Sequence, residues 1–376
     1  MRARGRPFAR PKRGCRKGHQ SGTTGISDGD PELDEEELPP CTVPPCQLNF
    51  LGFSDNKEWN DRFIRNFQDV LFTCGRYMDL SLLDGVTVGF HYDAALASVD
   101  LGYESSVGKK YTNESGLIGV AKVLRVKREG GIKVHAVFDA KVVGALAEQD
   151  EVFWSAVNIV AHELAHVAAI AWFQTHSPGV MLAPYQGDWA TASMREVAHT
   201  IWEEYAACRL SAAFTQGDVV LATYADSIEL AVGGAMANAQ EAIKAFRMHG
   251  DVNRLLVEST GRVSNPLKMA AYLMGHADGL EKDFDADGHL PATRASEFWP
   301  LLPELLSALR AAWDERHSWN GMEGVDGIVQ VVRQALQTAG VILTLDATGS
   351  HVHVPFSAAT MPNGEADMAL ARLQAL

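Results

Sequence analysis

The most constraining stretch of this 376-residue chain is Ala161-His162-Glu163-Leu164-Ala165-His166-Val167, an H-E-x-x-H pattern inside an apolar run from about Asp150 to Phe173. Composition alone predicts roughly 0.03 such patterns in a chain of this kind, so coincidence is a poor account of it. Its neighbours are Val157, Ile159, Val160, Ala161, Leu164, Val167, Ala168, Ala169 and Ile170. A run this long and this apolar predicts a buried core helix. Residues four apart share a helix face, so His162 and His166 point both rings toward one place. Two ring nitrogens so placed can reach one metal ion at about 2.0–2.1 Å. Glu163 projects about 100° further round, beside that ion rather than on it, where a carboxylate acts as general base on a water. Without a metal, a His-Glu-His trio buried in such a helix would be costly. The plainer alternative is a helix carrying two unrelated histidines.

Two histidines need at least one more protein ligand, with a position left open for water. The next helical stretch offers Glu196, Glu203 and Glu204. Val197, Ile201, Tyr205 and Cys208 form its apolar face, and Glu204 falls on that face. A carboxylate set into an apolar face needs a partner. Glu204 is therefore the expected third ligand, its alternative being a buried Glu paired with an Arg. Glu203 projects from nearly the opposite side, near His199, and is expected as a solvated surface charge. His199 itself reads as a surface or packing histidine. Asn158, one turn before His162, either orients that ring or is an ordinary polar helix residue. Tyr272 and His276, four apart on a later helix, are candidate catalytic donors for an oxyanion, as are Tyr185 and Tyr205. The alternative for each is packing in a helical core. The loop 177–189 either lines a substrate groove or simply connects two helices.

These residues resemble the gluzincin class of zinc metallopeptidases, in which an H-E-x-x-H helix is followed by a second helix that supplies a glutamate. Trp202-Glu203-Glu204-Tyr205-Ala206-Ala207 is similar to the Glu-x-x-Ala helix of small bacterial and phage-associated members. The resemblance covers about residues 115–215. It implies a zincin-like α+β fold, with a small β-sheet packed on the active-site helix and a larger helical half behind. It implies Zn2+ held by His162, His166 and Glu204, with Glu163 as general base in peptide-bond hydrolysis. The competing functions are a zincin-like binding or regulatory protein that does not cleave, and a zinc hydrolase of a non-peptide bond.

The rest of the chain sets bounds on this reading. A formal charge of −14 supplies no basic field for phosphates and predicts no general nucleic-acid binding. Five cysteines without a C-x-x-C pair indicate neither a zinc ribbon nor a disulfide framework, although Cys41 and Cys46 could pair. The first twenty residues are basic and lack the apolar core of a secretory signal, and His162, Glu163 and His166 interrupt the longest apolar stretch. The expectation is a cytoplasmic protein with a peptide or protein substrate and no membrane span. Residues 1–48 read as a charged, disordered tail: basic over Arg2–Lys17, acidic over Asp28–Glu37, then proline-rich. Residues 49–150 read as an α/β lobe with a helix capped by Asp55 or Asn56, a strand over 85–92, and two strands (117–126 and 132–138) joined at Glu129-Gly130-Gly131. Residues 151–376 read as a helical metal-binding lobe. Its expected helices end near Phe173, run to about Phe214, span Tyr224–Met248, open at Asn265-Pro266, and cover 293–316 and 324–338. Late strands are expected over 341–345 and 352–356.

Overall fold

In the computed structural model the described residues are 38–105, 109, 113–114, 117–148, 152–183, 188–216, 218–286, 288–346 and 349–374. The basic and acidic runs of the expected tail lie outside them, as does Tyr185. The described structure begins at Leu38, before the expected boundary at 48. Thr42 explains it: its hydroxyl donates to the Gly75 and Met78 carbonyls at 2.8 and 2.7 Å and accepts from the Leu80 N–H at 2.9 Å. Short-range composition could not reveal partners more than thirty residues away.

β1 (Gln47–Leu51) follows directly. Asn56, whose side chain accepts from the Trp59 N–H, caps α1 (Lys57–Tyr77). α1 buries Phe63, Phe67, Val70, Leu71 and Cys74 on one face. β2 (Leu83–Gly89) leads to α2 (Tyr92–Ser98), and the short β3 (Asn113–Glu114) and β4 (Leu117–Ile118) pair with each other. β5 (Ala121–Arg128) and β6 (Gly131–Asp139) form the expected hairpin, with Arg128 opposite Gly131. The main sheet has the order β1-β2-β6-β5; β1, β2 and β6 run parallel and β5 antiparallel. After α3 (Ala140–Val143) comes α4 (Phe153–His176), the motif helix. It ends three residues beyond expectation because no glycine or proline intervenes before Ser177-Pro178.

The helical half comprises α5 (Trp189–Ser211), α6 (Val219–Val232), α7 (Ala235–His249), α8 (Val252–Gly279), the short α9 (Pro291–Arg294), α10 (Leu302–Glu315) and α11 (Asp326–Ala339). A hairpin of β7 (Ile342–Asp346) and β8 (Gly349–His353) and then α12 (Glu365–Gln374) complete it. Three expectations fail here. The helix expected over 224–248 is two helices, broken at Gly233-Gly234, where Gly234 takes a φ of 74°. The helix expected to start at Pro266 starts at Val252, capped by Asp251, and Pro266 lies inside it. Leu255, Leu256, Val263, Leu267 and Ala270 form one buried stripe across the proline, and burial on both sides offsets a penalty of about 3 kcal/mol. The stretch 293–316 is α9, a 3-10 turn at Trp299–Leu301 and α10, because Pro300 and Pro303 permit only helix starts.

The chain is thus α+β, with a small mixed sheet and a predominantly helical second half. One core joins α1, one sheet face (Val86, Val88, Val134, Ala136, Phe138) and most of the buried residues of α4. The other joins α5, α7, α8, α10 and α11, and receives Ala169 and Phe173 from α4. The expected division at residue 150 therefore cuts between α4 and the sheet it packs on. Among the described residues two stretches are long and apolar enough to cross a membrane by length and composition. In Phe153–His176 the apolar window is 83% buried by protein. Val219–His249 is interrupted at the Gly233-Gly234 break.

Candidate metal centre

α4 and α5 pack side by side and run in opposite directions, so that His162 faces Glu204 and Cys208 while Phe173 meets His199. The crossing with α8 is close at Gly275, where a Cβ would fall 2.2 Å from the Tyr205 carbonyl oxygen, and at Gly279, where it would fall 2.4 Å from that of Arg209. Glycine at these positions lets α8 bring Tyr272 and His276 up to the α4–α5 pair.

His162 Nε2, His166 Nε2 and Glu204 Oε2 converge. The two ring nitrogens are 3.2 Å apart, and Glu204 Oε2 lies 3.4 Å from the first and 3.3 Å from the second. Donors held tetrahedrally at about 2.0–2.1 Å from one cation are about 3.3–3.4 Å apart, so the triangle has the matching size. Glu204 Oε2 is buried and has no hydrogen-bond partner. Burial opposes the Glu204 charge, but His166 and His162 outweigh it and hold the carboxyl well below its ordinary range. Burial likewise opposes a charged His166, yet Glu204 and Glu203 lift it well above the usual value.

Glu203 is not the solvated surface charge that helix geometry suggested. It is buried, and Oε1 lies 3.2 Å from His166 Nδ1 while Oε2 accepts from Arg125 at 2.8 Å. Burial works against its charge, but Arg125, His166 and His199 overcome this and take it down to about 2. A carboxylate on Nδ1 fixes the ring and leaves Nε2 directed at Glu204. The reason for the miss is topological: Arg125 stands on β5, 78 residues away. His199 is a packing residue, set against Phe173 and Trp202 at ring distances of 5.0 and 6.0 Å. Glu196 is exposed.

The Glu163 charge acts on His166 and His162 without a hydrogen bond or ion pair to them among the described residues. Burial pushes its carboxyl above the ordinary range. Tyr92 on α2 and Tyr224 on α6 both feel its charge. Neither tyrosine was singled out from sequence, and neither carries a motif that could have identified it. Tyr272 stacks on His162 at 5.6 Å and 21°, and burial together with the Glu204 charge holds its phenol well above the usual range. His276, fully buried, meets Tyr224 instead, at 5.5 Å ring to ring, and neither ring nitrogen has a hydrogen-bond partner. Burial lowers its pKa to about 4. Tyr205 points elsewhere, bonding Asp278 and Arg209. Asn158 is buried but does not hold His162; the Nδ1 of that ring is met by Cys208.

No protein-family model matches the chain, and no curated protein or solved structure matches it.

Proposed function

We propose that the chain is a zinc-dependent metallopeptidase of zincin type, with His162, His166 and Glu204 as ligands. The observation that carries the reading is the triangle of donor atoms at 3.2, 3.3 and 3.4 Å around a buried carboxylate oxygen without a hydrogen bond. Nitrogen, nitrogen and oxygen donors in this number suit zinc in a hydrolytic site, where three protein ligands leave one position open. Zinc, when bound, supplies a water of lowered pKa and polarises a carbonyl. Glu163, on the motif helix but outside the triangle, takes the proton from the water and passes it to the leaving amine. Glu203, anchored by Arg125, keeps His166 in the ligating orientation. The Tyr272 hydroxyl, beside Glu204, donates to the developing oxyanion. His276 supports it from behind Tyr224.

The test is metal analysis together with cleavage of a peptide library. Wild-type protein is expected to hold about one zinc per chain. Glu163→Gln is expected to keep that zinc and lose cleavage by about 10²–10⁴-fold, whereas His162→Ala and Glu204→Ala lose the zinc itself. Wild-type protein that takes up no zinc would overturn the reading. Zinc without cleavage of any peptide would leave the non-cleaving binding protein as the function. That second reading draws on the enclosure of the centre, where His162 and His166 are 8% and 7% exposed.

A further inference from the structure

The two histidines of the motif are equivalent in sequence but not in their surroundings. His166 rests on an ionised carboxylate that is itself tied to Arg125. His162 rests on sulfur: Cys208 Sγ lies 3.6 Å from its Nδ1. Cys208 is fully buried, and the Tyr224 hydroxyl on α6 is its polar neighbour. The Tyr224 ring in turn packs edge-on against Tyr272, at 5.4 Å, and Tyr272 stacks on His162. His162 is thus held at Nδ1 by a thiol and over its face by a phenol, and both supports run through one residue of α6.

Resting on the zinc reading above, we infer that Cys208 and Tyr224 are positioning residues for His162, a thiol–phenol support that does for this ring what Glu203 and Arg125 do for His166. A neutral imidazole has one N–H. When Nε2 is a ligand, Nδ1 carries that hydrogen and donates it to Sγ. Tyr224 offers its hydroxyl to the same sulfur. Thiol hydrogen is a donor as well, so in the metal-free centre Cys208 donates to Nδ1 and the ring hydrogen moves to Nε2, 3.4 Å from Glu204 Oε2. Charge explains the choice of a thiol. Glu163, Glu203 and Glu204 already place three carboxylates around the two histidines, and a fourth behind His162 would add repulsion where little water screens it.

The experiment measures zinc affinity by chelator competition, and the visible absorption of the cobalt-substituted protein, for wild type, Cys208→Ala, Cys208→Ser and Tyr224→Phe. Loss of such a support weakens metal binding by about 10–100-fold. Cys208→Ala is expected in that range with an altered cobalt spectrum. Tyr224→Phe keeps the ring and loses only the hydroxyl, so it shifts affinity less, by about 3–10-fold. Cys208→Ser restores most of the loss, because it keeps a group that donates and accepts. Wild-type affinity and an unchanged cobalt spectrum in both Cys208→Ala and Tyr224→Phe would overturn the inference while leaving the zinc centre intact. Should Cys208→Ala fail to fold, Tyr224→Phe decides alone. Absence of zinc binding in the wild type is a separate outcome, which removes the metal centre and this support with it.

Discussion

At the scale of single residues, the site is a contest between burial and pairing. Glu203 keeps its charge only because Arg125 and His166 are within 2.8 and 3.2 Å. Glu203→Gln is expected to weaken zinc binding by about 10–100-fold. It should also cost about 1–3 kcal/mol in urea unfolding, less than a fully buried pair because the Arg125 side chain is 35% exposed. His276 shows the opposite balance. Buried with neither nitrogen bonded, it stays neutral down to about pH 4 in the fold, whereas an unfolded chain protonates it near 6.5. Its contribution to stability is therefore complete above pH 6.5. It falls as the pH drops toward 4, where the loss levels off at no more than about 3 kcal/mol. Urea unfolding of metal-free protein at pH 7 and 4.5 checks this. His276→Gln is expected to lose less stability across that interval than the wild type, and equal losses would contradict it.

At the scale of elements, the α5–α8 crossing sets the site. Gly275 has a Tyr205 carbonyl oxygen where a Cβ would sit, at 2.2 Å, while Gly261, also in α8, has nothing within 4 Å. Gly275→Ala is therefore expected to destabilise by about 1–3 kcal/mol through overpacking, and to weaken zinc binding by moving Tyr272 off His162. Gly261→Ala is expected to stabilise by about 0.4–1 kcal/mol. Melting curves and chelator titrations of the pair test both, and similar behaviour of the two variants would refute the crossing argument. The same elements show where local signals mislead. Asn265-Pro266 carries the pattern of a helix start, yet the apolar stripe continues across it and α8 runs through. Gly233-Gly234 sits inside a continuous apolar pattern, yet the backbone breaks there. α4 was legible to within about three residues at each end, because its apolar length allows one outcome.

At the scale of the whole molecule, the donor cluster lies at the seam of two cores. α4 belongs mainly to the core that includes the sheet, and α5 mainly to the helical core. A metal gripping both helices ties the two together. Zinc at 100-fold above its dissociation constant is expected to stabilise the fold by about 2.7 kcal/mol. Removal by chelator should lower the melting temperature by several degrees in the wild type and leave Glu204→Ala unmoved. An unchanged wild-type melt would mean that the cluster does not link the cores through a metal.

The sequence by itself determined the motif helix, the shared face of His162 and His166, the place of Glu204 on an apolar face, and the β5–β6 hairpin. All of these depend on spacing within one helix or across one short turn, which backbone geometry fixes before any packing occurs. Only the tertiary structure decided what stands behind each ligand. Glu203, tied to Arg125 on a strand, reaches His166 from the side of α5 that its pattern marked as polar, and Cys208 meets His162 from the same helix while Tyr272 stacks on it from α8. Those contacts join residues far apart in the chain, and they exist only once helices and sheet have packed, because burial is what makes each polar group seek its partner.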